Sequence, residues 1–331
     1  WSDGDCYLVL DAATRAYAYK PDEYLKSKLD FWVNLIPRIQ GEDGRIDTWK
    51  ILKEFDSRTA EKWGMAEHWH EDGNLSSWAG YNLPHLHLFA TTYHKVFNDD
   101  SFLEVADKAL LHLSEYMKSG GQHPNHPIIP HFSTPPLEIY ARTKDEYFLQ
   151  WVQDLYAKNS RPFGPPFRDA EEIYGHNTAA AHTLLGASML YELTGEAAIL
   201  NALNRLADNF LSKKVYITGA VAPVGGGKRP EMTVKGIKYE AKNHGEAVGE
   251  AYNLPNLTSY CESCGQCLFM EWLYQMFRLT GKTEYMDAAE RMLYNATAGC
   301  VDLDRPNFFY CNPQEQGPRS ERPIPKADNI Y

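Results

Sequence analysis

Two acids and a thiol dominate the chemistry available to this sequence. Glu246 opens the run Glu246-Ala247-Val248-Gly249, and Glu262 stands 262 − 246 = 16 residues further on, in Tyr260-Cys261-Glu262-Ser263-Cys264. Glu262 and Cys264 together offer one hard and one soft donor to a metal ion such as Zn2+. On a regular helix, positions i and i+2 face apart, so these donors converge only in extended or first-turn backbone. The apolar run from Leu268 to Leu273 follows at once, which puts the pair at a helix start. An acid there also suits the helix dipole, by up to about 1 kcal/mol, but that role alone leaves Cys264 unexplained. Cys267, one turn on, reads as a buried apolar side chain. A Cys264–Cys267 redox pair is the other option, and it lacks the βαβ setting such pairs occupy.

The elements that must hold these groups follow from periodicity and composition. The chain has 331 residues, 44% of them hydrophobic and 13% aromatic, which predicts one domain over residues 1–331 with a sizeable core. A net charge of −11 argues against nucleic acid or an anionic membrane surface as partner. No apolar run reaches 18 residues, and no secretory signal pattern stands at Trp1. A soluble protein is expected, cytoplasmic or periplasmic/secreted, with a homodimer allowed. Six cysteines in a chain of this length do not make a disulfide scaffold.

One local signature recurs five times: an acidic or Thr-Gly turn, then an aromatic or aliphatic pair that opens an amphipathic helix. It stands at residues 21–25, 98–103, 144–148, 194–200 and 280–286. Helix-period segments at 9–19, 86–96, 135–142, 179–193 and 267–279 lead into these turns. Glycine after the first helix supplies the left-handed residue that ends it, and an acid near the next N-terminus suits its dipole. The pattern predicts an all-α fold of αα-hairpins, an (α/α)6 toroid of which five hairpins are present. The sixth is expected beyond Tyr331, so the chain reads as cut before the last hairpin, with a second cut at its start allowed. Long polar connections at 40–83, 119–134, 158–175 and 214–265 are expected to build a cleft at one end. Within the last of them, residues 221–243 read as a flexible insertion. Their Gly225-Gly226-Gly227-Lys228 run lacks the remainder of a phosphate-loop motif.

Three stretches, Tyr252-Asn253-Leu254-Pro255-Asn256, Tyr260-Cys261-Glu262-Ser263-Cys264 and Phe308-Phe309-Tyr310-Cys311-Asn312-Pro313, resemble the hallmark segments of glycoside hydrolase family 127. That family comprises retaining β-L-arabinofuranosidases built on an (α/α)6 barrel. The resemblance covers nearly the whole chain, and its specific part is 244–313. It implies that Glu246 is the general acid/base and that Glu262 and Cys264 are two zinc ligands. It further implies that a downstream Cys-Cys-Pro-Pro motif, absent here, supplies the remaining ligands and the nucleophile. Cys300 and Cys311 lack those neighbours. His85 and His176 match the family's sugar-contacting histidines.

Asn253 stands where the family has Asp, Trp78-Ala79-Gly80-Tyr81 replaces His-Glu-Leu-Tyr, and Pro84 replaces a Gly. These departures bear on the substrate, and related members act on other sugars such as 3,6-anhydro-galactose residues. Trp78, Tyr81, Tyr260 and Tyr310 are candidate sugar platforms, since flat apolar rings with polar rims stack on sugars; core packing explains any one of them nearly as well. His244 either tunes Glu246 or lies exposed. His85 and His87 face different sides of a helix, so at most one enters a cleft. His68 and His70 read as a rim or surface pair.

The function expected is hydrolysis of a terminal L-arabinofuranose-like sugar from an oligosaccharide or polysaccharide. A related glycosidase without zinc, a sugar epimerase or lyase using His or Tyr bases, and a non-catalytic carbohydrate-binding relic are the rivals.

Overall fold

The computed structural model describes residues 2–46, 48, 79–118, 133–157, 165–225, 232–234, 237–239, 246–303 and 307–315. The chain divides into two compact units, residues 1–145 and 146–331. The first holds α1 (Ser2–Tyr19), α2 (Glu23–Leu35), α3 (Ala79–Phe97), α4 (Ser101–Lys118) and α5 (Thr134–Thr143). The second holds α6 (Glu146–Ala157), α7 (Asn177–Thr194), α8 (Ala197–Lys213), α9 (Ser263–Thr280) and α10 (Glu284–Arg291), with a π-helical turn at Met292–Thr297. The class is all-α. The five expected helix pairs are all present, and each leading helix starts earlier than its apolar period suggested, by four residues or more in α1, α3 and α9.

The recurrent Thr signature has a specific physical basis. Thr143, Thr194 and Thr280 each donate their hydroxyl to the carbonyl four residues back, at 2.7–2.8 Å. Each hydroxyl also accepts the backbone N–H two residues on, at 3.2–3.3 Å. One side chain thus occupies an orphan carbonyl of the ending helix and a free N–H of the turn. The residue between is left-handed: Lys144 (φ 60°), Gly195 (φ 67°) and Gly281 (φ 73°). At the next helix start, Asp22 caps α2 by accepting from the Leu25 N–H at 2.9 Å.

Within each unit the helices bury one stripe. On α8, Ile199, Ala202, Leu203, Leu206, Ala207 and Phe210 follow the i, i+3, i+4, i+7 rule and are fully buried. Phe210 stacks on Phe269 of α9 at 4.6 Å and meets Trp272 edge-on. Each such aromatic stabilises by about 1.5–3 kcal/mol on burial. In the first unit, Leu29, Leu86, Phe89 and Phe102 centre the core.

Four short strands accompany the helices. Met232–Val234 (β2) and Ile237–Tyr239 (β3) form a hairpin, while Gly175–His176 (β1) pairs antiparallel with Ala247–Val248 (β4). Of the 221–243 stretch, expected as a flexible insertion, residues 221–225, 232–234 and 237–239 are described and form extended or hairpin structure; the others lie outside the described residues. Val221 and Ala222 are fully buried, and Val224 pairs with Ala247.

His87 is not a cleft residue. It is 2% exposed, with Nε2 3.0 Å from Asp107 and Nδ1 3.0 Å from Glu138. Arg142 clamps Asp107 with two bonds of 2.7 and 2.8 Å, and Thr91 donates to Glu138 at 2.6 Å. Burial alone would lower the His87 pKa, but the two carboxylates outweigh it and raise it above 6.5. The folded-state value thus exceeds the unfolded one, so this stabilisation is complete below about pH 6.5 and fades as pH rises through the folded value. Melting temperature against pH should fall over that window in the wild type. The fall should be smaller in His87→Gln, and equal slopes would contradict the assignment.

Candidate active site

The second unit gathers most of the residues singled out above at the N-termini of α7 and α9. Glu246 sits immediately before β4 with φ 57°. The β1–β4 pairing brings His176 opposite Ala247, and the Asn177 N–H donates to the Glu246 carbonyl at 2.9 Å. Glu246 is therefore tied by its backbone to the start of α7. Its carboxylate takes a hydrogen bond from the Tyr260 hydroxyl at 2.8 Å on one oxygen. The other oxygen lies 3.3 Å from His176 Nε2. The side chain is 18% exposed, so solvent or a ligand can reach it.

His176 caps α7 through its ring. Nδ1 accepts the Ala179 N–H at 3.4 Å and lies 3.0 Å from the Thr178 hydroxyl. A ring nitrogen used as an acceptor carries no proton, which leaves the neutral ring's proton on Nε2, facing Glu246.

Glu262 precedes α9 in extended backbone and makes no capping bond. Its carboxylate instead accepts from the Tyr310 hydroxyl at 2.7 Å and from Asn177 Nδ2 at 3.2 Å. The dipole role that competed for this residue is thus not the use its oxygens are put to. Glu262 is 2% exposed, and no ion pair joins it to Lys, Arg or His among the described residues. Cys264, half-buried and free, lies beside it. Burial and the Glu262 charge hold the Cys264 thiol well above its ordinary pKa.

A buried carboxylate without a counter-cation is costly, and a carboxylate oxygen beside a sulfur is a zinc donor pair. The donor set fits two of the four positions of a zinc site. Among the described residues no third His, Cys, Asp or Glu completes a cluster. Cys267, expected as a buried apolar side chain, is instead exposed at the start of α9; Cys261 and Cys311 are buried, and no disulfide joins the three.

The tyrosines are fixed from the far side. The 307–315 segment runs against 259–263: Ser263 N–H donates to the Tyr310 carbonyl and Asn312 N–H to the Tyr260 carbonyl, both at 3.0 Å. The two rings meet edge-on at 6.4 Å. Burial first, then Cys311 and Glu246 for Tyr260 and Glu262 for Tyr310, push both phenols far above the ordinary range. They stay protonated as donors, which is the opposite of what an epimerase or lyase asks of a tyrosine base.

Backbone strain collects here. Of the six described non-glycine residues with positive φ, Ala222, Glu246, Tyr252 and Cys261 lie along these segments. Such residues cost about 1–3 kcal/mol each and persist where surrounding structure over-determines them. Cys261 and Tyr260 donate their N–H groups to Ala222 and Pro223, so the 220–224 segment is what holds them. Beneath, the buried Lys214 ammonium pairs with Glu172 and donates to the Gly249 carbonyl at 2.6 Å, anchoring the chain just after β4.

The structure thus assembles Glu246, His176, Tyr260, Glu262, Cys264 and Tyr310. His85 belongs to the first unit, on α3; it is 4% exposed, and burial lowers its pKa to about 4, so it is neutral. Tyr81 falls within α3, and its side chain is outside the described residues, as are Trp78, His244, His68 and His70. Sequence reasoning missed Asn177, which bonds to both acids, and the 220–224 support. Asn177 carried one usable signal, its place directly after His176.

Comparison with known proteins bears on the family and the fold. The family model of the β-L-arabinofuranosidase GH127 catalytic domain matches residues 1–330. A non-reducing end β-L-arabinofuranosidase of Bifidobacterium longum subsp. longum is 25% identical, over 96% of this chain and 49% of its own. Among solved structures, one described as a glycoside hydrolase covers 99% of the chain with a TM-score of 0.80 at 23% identity, and 51% of that protein is matched. A GH127 β-L-arabinofuranosidase from Geobacillus stearothermophilus T6 covers 97% with a TM-score of 0.74 at 23% identity, again matching 51% of its length. These likenesses show the fold, the all-α helical toroid. The chain spans about half the length of these relatives. With a match across residues 1–330, it belongs to glycoside hydrolase family GH127, the family of the β-L-arabinofuranosidase catalytic domain.

Proposed function

We propose that the protein is a retaining glycoside hydrolase that removes a terminal L-arabinofuranose-like sugar from plant or algal polysaccharide or glycoprotein glycans, and that residues 1–331 form its catalytic domain. The observation that carries this is Glu246: partly exposed, strained, held by the Tyr260 hydroxyl and His176, and linked through Asn177 to Glu262. Glu246 in its protonated form gives a proton to the leaving oxygen as the bond to the anomeric carbon breaks. It then takes a proton from the water that displaces the sugar from the enzyme nucleophile. Tyr260 fixes the rotation of the carboxyl. His176, with its proton on Nε2, meets the other oxygen and stands 33% exposed at the side where a sugar would lie.

Glu262 and Cys264 would hold zinc, and bound there zinc would keep neighbouring cysteine sulfurs in the thiolate form that attack on a sugar requires. Glu262 supplies an oxygen, and the Tyr310 hydroxyl holds its carboxylate at 2.7 Å. The attacking thiolate is assigned to a cysteine outside residues 1–331. The name of the Bifidobacterium relative, a non-reducing end β-L-arabinofuranosidase, supports the choice of sugar, end and anomer. The reading is tested by following hydrolysis of a methyl or aryl β-L-arabinofuranoside by proton NMR. The first sugar released should be the β-anomer. First release of the α-anomer would exclude a covalent intermediate, and no release would exclude the substrate.

A further inference from the structure

We propose that Asn177 is a positioning residue, one that fixes the Glu262 carboxylate relative to Glu246. The inference rests on the function proposed above and concerns a residue that function does not otherwise need. Asn177 is fully buried and bonds to both acids from one residue. Its backbone N–H holds the Glu246 carbonyl at 2.9 Å, and its side-chain Nδ2 holds Glu262 Oε2 at 3.2 Å. Tyr310 secures the other Glu262 oxygen and the Cys264 side chain bonds to the carboxylate as well, so the amide is the contact that pins Oε2 toward α7. The amide can present only its N–H side, because an oxygen turned toward the carboxylate would repel it.

Two further observations separate this role from packing. Asn177 Oδ1 is buried with no hydrogen-bond partner, which disfavours the folded state rather than supporting it. The side chain also occupies room that α9 gives up: a Cβ on Gly265 would lie 2.8 Å from Asn177 Cγ and 2.9 Å from its Cβ. A buried amide with an unpaired acceptor, given space by a glycine on the facing helix, is explained by what its one donor does. Supports of this kind hold catalytic and metal-binding carboxylates in one direction, and losing one lowers activity or metal affinity by about 10–100-fold.

The test uses Asn177→Leu, which keeps the side-chain shape and removes the amide, and Asn177→Ala in case the leucine does not fold. Both keep the backbone N–H to Glu246. In the full-length protein, kcat on an aryl β-L-arabinofuranoside should fall by about 10–100-fold with KM within about twofold, at a melting temperature close to wild type. Zinc affinity, measured by chelator competition, should fall by a similar factor. A variant that folds as wild type with unchanged kcat would overturn the assignment. If the wild type holds no zinc while the variants lose kcat, the metal part of the proposed function fails and Asn177 keeps its role. If the wild type does not turn over the glycoside, the proposed function fails by itself, and unchanged zinc affinity would then overturn the role of Asn177.

Discussion

Replacing Glu246 by Gln is expected to lower kcat by roughly 10²–10⁴-fold on an arabinofuranoside whose leaving group is another sugar, since a positioned acid/base contributes about that much. The substitution keeps the shape of the side chain and its bond from the Tyr260 hydroxyl, because the amide oxygen can still accept. What it removes is the proton that must reach the leaving oxygen. The loss should therefore depend on the leaving group. A nitrophenolate leaves without protonation, so its release should suffer far less than that of a sugar alcohol. Glu246 also serves as the base for the second step, which is common to both substrates, so the contrast belongs to kcat/KM, which reports the first step alone. An equal loss on both leaving groups would mean that the substitution had disturbed the site as a whole.

The second large effect concerns Cys264. Cys264→Ala should cost more than the 10–100-fold in metal affinity that follows loss of a supporting residue, because a donor itself is gone. Activity should fall with it, to background. Glu262→Gln should behave in the same way, although it can keep its bond from Tyr310. The two variants differ in what they leave behind. Cys264→Ala leaves a buried carboxylate with only the Tyr310 and Asn177 donors, whereas Glu262→Gln removes that charge. In metal-free protein, Glu262→Gln should therefore melt at or above the wild-type temperature, while Cys264→Ala should not. Dialysis against a chelator, then elemental analysis and a melting curve, checks both. Full zinc retention by Cys264→Ala would remove that residue from the ligand set.

The hairpins were legible because each carries its own punctuation. Thr143, Thr194 and Thr280 use one hydroxyl to end a helix and shape the turn at three of the five, and acidic residues mark the other two. The two acids were legible because Glu-x-Cys at a helix start has few other uses, and the hallmark segments lie in one stretch of sequence.

Less local features were hidden. Asn177 meets Glu262 across 85 positions, and the amide announces itself only once α7 and α9 are packed end to end. Residues 220–224 read as part of a glycine-rich insertion because no periodic pattern marks a single buried extended segment. Their role lies in backbone bonds to Tyr260 and Cys261, which any residue type could make. His87 presents the converse case. Beside His85 it looked like an alternative ligand, but Asp107 and Glu138 come from other helices and take both ring nitrogens.

The most direct measurement is kcat/KM for wild type and Glu246→Gln on two β-L-arabinofuranosides that differ only in leaving group, one nitrophenyl and one sugar. The account expects turnover of both by the wild type, a loss of roughly 10²–10⁴-fold on the sugar glycoside in the variant, and a much smaller loss on the nitrophenyl glycoside. Unimpaired cleavage of the sugar glycoside by Glu246→Gln would show that the proton comes from elsewhere and would contradict the site described here.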